Sequence, residues 1–453
     1  MTKPFRFVSA VAMVCAFAWA GAAQADILIK NVTLYDGTGG PAVKGANILV
    51  KGERIAQVST KAISGGSARV IDGTGKFVMP GIMDSHVHIK GGQRGSVFAG
   101  AERVPANDRD VALPTLRGFL YSGVTSVYDS GNNEPFIFPL RDDERAGKII
   151  SPRIFAAGGV ITVPGGYGGG PTSLRVENWE QGKAGLDAKF AKKPDMLKMI
   201  KEEQGLYGSK AVPTLSDEMF KRITDYARQN GVRTTVHVSS EWQAQAAAVN
   251  GVSAMAHPVQ RAVLNDSFVK LLADRKIPIS TTLINYTQIA RYGDADGVKF
   301  LDEPLFQAVM TEAERKEVVE EREGFVKIDL PATFKLGERY AIANAKRMFD
   351  EGVILTSGTD RGYGPFVHME LASLNKAGIS AAALIKIATL NGAIYMGREK
   401  DLGSVEAGKY ADILILKADP AADVKNFQAI DTVIKNGQRI DFAKLDLPVN
   451  HKK

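Results

Sequence analysis

Beyond Asp26 the chain reads as short segments, ILIKNVTLYD, ANILVKGERIAQVS and ARVIDGTGKFVM, in which apolar and polar positions tend to alternate. Side chains alternate across a strand, so this period predicts half-buried β-strands. Turn residues Gly37-Thr38-Gly39-Gly40, Lys51-Gly52 and Asp72-Gly73 separate the segments. The same texture returns from about Gly403, in ADILILKADP and DTVIKNGQRI. Neither end is large enough to bury a core alone. Residues 26–77 and 403–446 are therefore expected to pair into one small β-sandwich, with residues 78–402 between them.

That middle part alternates short apolar runs with helical segments, the pattern of a parallel sheet covered by helices. Strands are expected at Val78–Asp84, Val124–Asp129, Arg153–Ala157, Met196–Ile200, Thr234–Val238, Ala254–His257, Pro278–Leu283 and Val353–Thr359. One intervening helix is legible in full. Ser216 caps it, Asp217 and Glu218 fill its first turn, Gly231 closes it, and Met219, Phe220, Ile223, Tyr226 and Ala227 form its buried stripe. The fold class is accordingly α/β, a distorted (β/α)8 TIM barrel carrying the sandwich, with its active site at the strands' C-terminal ends. A long connection, about residues 285–350, leaves from that rim with a charged run, Thr311 to Arg322. The run reads as a solvated helix, and the connection as a candidate lid.

The N-terminus changes the picture of where the chain works. Lys3 and Arg6 precede an apolar run, Val8 to Gly21, and Ala23-Gln24-Ala25 is a small-x-small cleavage site. This predicts a secretory signal peptide cut after Ala25, a retained anchor being the alternative, and a periplasmic or secreted product. Cys15 lies inside the run without the small residues of a lipobox and is the chain's only cysteine. The mature chain then has no disulfide, thiolate nucleophile or cysteine ligand. Net charge is +7, with no basic run interleaved with aromatics, which argues against nucleic acid. No further run is long enough to span a bilayer. A mild positive excess suits an anionic substrate or simply a solvated surface.

The chain has six histidines, and four fall at C-terminal strand ends. His86 and His88 close VMPGIMDSHVHI, where a His-x-His pair on a strand points both imidazoles to one face and can chelate a divalent metal. His237 follows TTV, His257 follows SAMA, and Asp360 ends ILTSGTD on the same rim.

These residues, with PGIMDSHVH, the tail LGSVEAGKYADILIL and the preceding helix AAALIKIATLNGAIYMG, resemble the amidohydrolase superfamily of metal-dependent hydrolases, from about Ile27 to Ile440. PDMLKMIKEE further resembles a strand of its imidazolonepropionase-like and prolidase-like branch. The resemblance implies a lysine on that strand carboxylated on its amine to bridge two metals. Lys198 lies inside the strand, where a buried cation is costly unless neutralised. Lys201 sits beside Glu202 and Glu203, where solvent accounts for it. It also implies that His86, His88 and Asp360 hold one divalent ion, most simply zinc, that His237 and His257 hold a second, and that N6-carboxylysine at Lys198 bridges them. A mononuclear site, as in the deaminases, with Lys198 snorkelling or paired, is the competing arrangement. Asp360 would act as general base and then acid.

Substrate contacts are less sharply marked. GGVITVPGGYGGGP, Gly158 to Pro171, lacks the Lys-Ser/Thr of a P-loop, and Tyr167 stands where prolidase-like relatives carry a histidine. Tyr167 reads as a hydrogen-bond donor to the substrate or a packed loop residue. Tyr286, just past the seventh strand, and Arg94 in GGQRGSVF are further candidates, Arg94 for a carboxylate. His368 in FVHMEL either reaches the mouth or sits on a helix surface, and His451 lies in a charged tail. The function expected is an exported amidohydrolase cleaving an amide bond of a small peptide or N-acyl amino acid. Hydrolysis of cyclic amides, lactones or phosphoesters is the alternative within enzymes, and a non-catalytic exported metal- or ligand-binding protein the alternative outside them. No membrane partner is expected after signal cleavage, and a homo-oligomer stays open.

Overall fold

A computed structural model describes residues 25–94, 104–204 and 211–451. The expected signal peptide lies outside the described residues, apart from Ala25. Among the described residues no helix is long and apolar enough to cross a membrane.

Strands from both chain ends, expected as a sandwich, hydrogen-bond into one eight-stranded sheet. Ile27–Leu34 pairs antiparallel with Val43–Lys51 and parallel with Arg69–Asp72 and Phe77–Pro80, and Phe77–Pro80 pairs antiparallel with Ile413–Leu416. Period two then sorts the last of these strands. Ile413 and Ile415 pack with Ile29, Ile48 and Val50, while Leu414 and Leu416 face the core of the central part. One strand thus joins the two ends and also fastens them to the middle.

The expected first strand divides in two. Phe77–Pro80 belongs to the end sheet and Ile82–Val87 to the central part. Gly81 is the joint, since a Cβ there would meet the Thr125 Oγ1 at 2.0 Å. The central strands are parallel and form two sheets, one of three strands and one of seven. The first runs Arg153–Ala156, Val124–Asp129, Ile82–Val87; the second ends Arg233–His237, Ala254–Ala256, Ile279–Ser280, Leu355–Thr356. All eight expected positions carry a strand, although the last two shrink to Ile279–Ser280 and Leu355–Thr356. Two short strands in and beside the glycine-rich stretch, Ile161–Thr162 and Leu174–Arg175, were not expected. The two sheets do not close as one hydrogen-bonded ring. They meet where the Ser85 amide donates to the Ser357 carbonyl (2.9 Å) and the Asp360 amide to the His86 carbonyl (2.7 Å).

The Ser216-capped helix is Asp217–Gln229, its cap hydroxyl accepting from the Met219 amide at 3.1 Å. Phe220, Ile223 and Ala227 are buried, and Met219 and Tyr226 partly so. Within the long connection, Glu312–Lys327 opens with a capping box between Thr311 and Glu314. Its charged face is not merely solvated. Glu317 pairs with Lys90 (2.9 Å), two residues past His88, and Glu321 with Arg361 (3.0 Å), directly after Asp360. The helix Leu330–Asp350 follows, and its buried Asn344 clamps the loop after Ala254–Ala256. The Asn344 side chain donates to the carbonyls of Val259 (2.7 Å) and Ala262 (2.8 Å) and accepts from the Leu264 amide (3.1 Å).

Replacing Asn344 with Ala removes all three bonds and leaves backbone groups short of partners. The expected loss in unfolding free energy is about 2–4 kcal/mol. Urea denaturation measures it, and a loss under roughly 0.5 kcal/mol would contradict this role.

Candidate metal centre

The site begins at Asp84. This buried carboxylate accepts from the His86 amide (3.2 Å), the Thr359 amide (3.0 Å) and the Thr359 hydroxyl (2.7 Å). It binds the end of the first central strand to the end of the last, which brings His86 and Asp360 together. Burial pushes the Asp84 carboxyl up to about 8 against the pull of those hydrogen bonds. Gly358 keeps the approach close, because a Cβ there would lie 2.0 Å from the Ser280 Oγ and 3.0 Å from the His86 Cβ.

Asp360 stands among the imidazoles. Its Oδ1 lies 3.0 Å from the His88 Nε2 and 3.4 Å from the His86 Nε2. The His86 and His257 rings are 4.8 Å apart and those of His237 and His257 4.7 Å. His86, His257 and Asp360 offer ligand atoms all within 4.8 Å of one another. The structure therefore gathers all four strand-end histidines and Asp360.

Hydrogen bonds fix which nitrogen faces inward. A carbonyl only accepts, so the His88 Nδ1, 2.8 Å from the Gly131 carbonyl, carries a proton, and Nε2 is the nitrogen directed at Asp360. His257 is held at Nδ1 by the Thr282 hydroxyl, 2.7 Å away, and Thr282 sits in left-handed backbone at φ 39°. Burial, then the positive Lys198, holds the His86 imidazole down to about 3. Burial, then His237 and His86, holds His257 well below its ordinary value. His88 moves the other way. Burial opposes it, but the hydrogen bond and charge of Asp360 raise it. Asp360 is held well below the carboxylate range because His86 and His88 outweigh its burial.

An imidazole lone pair and a carboxylate oxygen at 3.0 Å repel unless a proton or a cation lies between them. The His86 Nδ1 is also buried with no hydrogen-bond partner. The neutral imidazoles of His86 and His257, grouped with an ionised carboxylate, are the donor set of a divalent metal, so these residues fit one.

Lys198 lies beside them, 3% exposed, and among the described residues its amine has one hydrogen-bond partner, the Ser130 hydroxyl at 3.4 Å. Burial, partly opposed by Asp360, holds its amine down to about 7. The Lys201 expectation needs correction. Rather than facing solvent it is 2% exposed, paired with Asp217 (2.7 Å) and donating to the Leu215 carbonyl (3.0 Å). Residues on either side of the Ser216 cap supply both partners, which neighbouring residues in sequence do not reveal.

The weaker candidates divide. The Tyr167 ring is 4.9 Å from that of His237, at the site. Tyr286 is buried, stacked 5.5 Å from Phe334, and its hydroxyl is pushed up by burial, then by Asp360 and Tyr167. Arg94 is exposed and spends its guanidinium on Asp108 (2.9 Å). Residues 95–98 of that loop lie outside the described residues. His368 is neither at the mouth nor on a surface. It is buried, its Nε2 2.9 Å from the carbonyl of Ser122, which precedes strand Val124–Asp129 and so marks the opposite end of the sheet. His451 closes a short helix and pairs with Asp446 (2.9 Å), away from the site.

Three polar residues of the site escape the histidine-based reading. Glu202 faces the His237 Nε2 at 3.7 Å and is 2% exposed. The Asn285 amide donates to the Asp360 Oδ2 at 2.8 Å. Asp129 accepts from the Ile89 amide (2.8 Å) and the Gly131 amide (3.1 Å), fixing the loops beside His88. Glu202 and Asp129 obey the same strand-end rule that singles out the histidines.

Residues 77–440 match the model of the amidohydrolase family. The imidazolonepropionase of Shouchella clausii is 26% identical over 443 residues, covering 87% of this chain and 85% of that protein. The 5-methylthioadenosine/S-adenosylhomocysteine deaminase of Caldanaerobacter subterraneus is 23% identical over 461 residues, covering 92% and 93%. Among solved structures, a Xaa-Pro dipeptidase with methionine in its active site superposes at a TM-score of 0.72 with 22% identity, over 92% of this chain and 100% of that one. This last likeness is one of fold.

Behind the site, Glu370 accepts from the Thr281 hydroxyl and from the Ile284 amide (2.7 Å), bracing the corner that carries Thr282 and Asn285. Burial pushes its carboxyl up to about 7 from 4.5. The folded chain thus holds the proton more tightly than the unfolded chain. Stability from this group is full below pH 4.5 and is lost as pH rises to about 7. Glu370→Gln should flatten that part of the stability profile. Denaturation midpoints across this window check it, and a variant that keeps the wild-type slope would contradict it.

Proposed function

The chain belongs to the amidohydrolase family and is a hydrolase of carbon–nitrogen bonds, and on that premise we propose that it is an exported, metal-dependent enzyme cleaving an amide bond in a small peptide or N-acyl amino acid. One observation carries the reading: the buried, neutral imidazoles of His86 and His257 and the ionised Asp360 offer ligand atoms all within 4.8 Å of one another, the donor set of a divalent metal. The N-terminal run Val8 to Gly21 with Ala23-Gln24-Ala25 supports export, to the periplasm or the medium. We read the two parallel sheets as the wall of a (β/α)8 barrel, and the end sheet as the family's sandwich.

In this reading His86, His88 and Asp360 hold one divalent ion and His237 and His257 a second, with Lys198, carboxylated on its amine, between them. A lysine amine held down to about 7 is largely unprotonated in mildly alkaline conditions, the form that adds carbon dioxide, which favours Lys198 for the modification. Nitrogen and oxygen donors suit zinc. The ions would supply an acidified water and polarise the scissile carbonyl. Asp360, held ionised by its imidazole neighbours, accepts a proton from the attacking water and delivers it to the leaving nitrogen. The Asn285 amide holds the Asp360 Oδ2, which keeps the carboxylate plane fixed as the proton moves. Tyr167, whose ring lies against that of His237, would contact the substrate in this reading.

A mononuclear site is the second reading. The compact group of His86, His257 and Asp360 favours it, as does the likeness to a deaminase. Cyclic amides, lactones and phosphoesters are substrates open to the same chemistry.

Asp360→Asn should lower turnover by about 10²–10⁴-fold while most bound metal stays. A panel of dipeptides and N-acyl amino acids, assayed beside elemental analysis, measures both. Undiminished turnover in the variant would overturn the role of Asp360.

A further inference from the structure

Arg261 lies four residues past His257, in the loop that Asn344 clamps through the Val259 and Ala262 carbonyls. Arg261 is half-buried, and among the described residues its guanidinium makes one hydrogen bond, from Nε to the Ser239 hydroxyl at 2.9 Å. Ser239 is two residues past His237, so that bond brings the guanidinium to the rim of the same site. Among the described residues no carboxylate lies within ion-pair distance of it. The cation is also felt at the Tyr286 hydroxyl, where it opposes the effects of burial, Asp360 and Tyr167. The four groups therefore share one neighbourhood.

A half-buried guanidinium normally gains most from a carboxylate held by both terminal nitrogens. Here Nε is engaged by a neutral hydroxyl, and among the described residues the terminal nitrogens have no acceptor. The loop beneath is already ordered by buried hydrogen bonds, so little further ordering is needed to bind an anion. Arg94, the arginine that sequence alone suggests for this task, is consumed by Asp108 at the surface.

We infer that Arg261 is the anion-recognition residue of the site, binding the free carboxylate of an amino acid on the leaving-group side of the scissile amide. The substrate class narrows accordingly to dipeptides and N-acyl amino acids with an unblocked C-terminus. This deepens the hydrolase reading and rests on it for the identity of the ligand.

Equilibrium binding separates the two claims. The zinc-loaded protein is titrated with L-amino acids and their C-terminal amides, in wild type, Arg261→Met and Arg261→Lys. Wild type should prefer the acid over the amide by about 10- to 100-fold, the worth of charge-assisted hydrogen bonds. Arg261→Met should abolish the preference while leaving amide binding unchanged, and Arg261→Lys, which keeps charge but loses the fork, should retain part of it. Equal affinity of wild type for acid and amide, or a full preference surviving in Arg261→Met, would overturn the inference. Preference without hydrolysis of any amide would uphold Arg261 and instead defeat the proposed reaction.

Discussion

The structure depends on one buried carboxylate that joins distant parts of the chain. Asp84 and Thr359 are 275 positions apart, yet two hydrogen bonds from Thr359 and one from His86 end on Asp84. Such bonds, made away from water, are strong, and breaking either side would leave a buried acceptor unsatisfied. They fix the first central strand against the last. His86 and Asp360 lie just beyond this clamp, and the other histidines arrive on strands hydrogen-bonded in order from it. Gly81 and Gly358 serve the same constraint, one where the chain leaves the end sheet and one where a side chain would push His86 away.

What the clamp assembles is electrostatically incomplete. Asp360 is ionised, the buried imidazoles of His86 and His257 are neutral, and Lys198 is buried without a carboxylate partner among the described residues. The other buried lysines among the described residues are matched, Lys201 with Asp217, Lys189 with Glu134 and Lys435 with Glu144. The contrast separates a region built for stability from one built to receive a charged group. The Glu312–Lys327 helix reaches the same rim through Lys90 and Arg361, so the long connection walls the site and, through Asn344, also sets the loop after His257.

Much of this was legible in the sequence because it rests on short-range periodicity. Strand alternation placed His86 and His88, and strand-end positions placed His237, His257 and Asp360. Ser216 and the stripe of Phe220, Ile223 and Ala227 fixed a helix to within a residue or two. What stayed hidden depends on contacts between remote segments. Lys201 is buried because the first residue of a helix, sixteen positions on, supplies its acid. His368 is buried because its helix packs on the end of another, at Ser122. The seventh strand is short because left-handed backbone at Thr282 turns the chain within the expected run. Glu202 and Asp129 were within reach, had carboxylates at strand ends been weighed as histidines were.

The central claim is that this cluster of imidazoles and one carboxylate exists to hold divalent metal. Native mass spectrometry of the full chain after dialysis against zinc tests it most directly. The account predicts about two ions per chain, held by the residues named above. A chain that takes up none while remaining folded would contradict it.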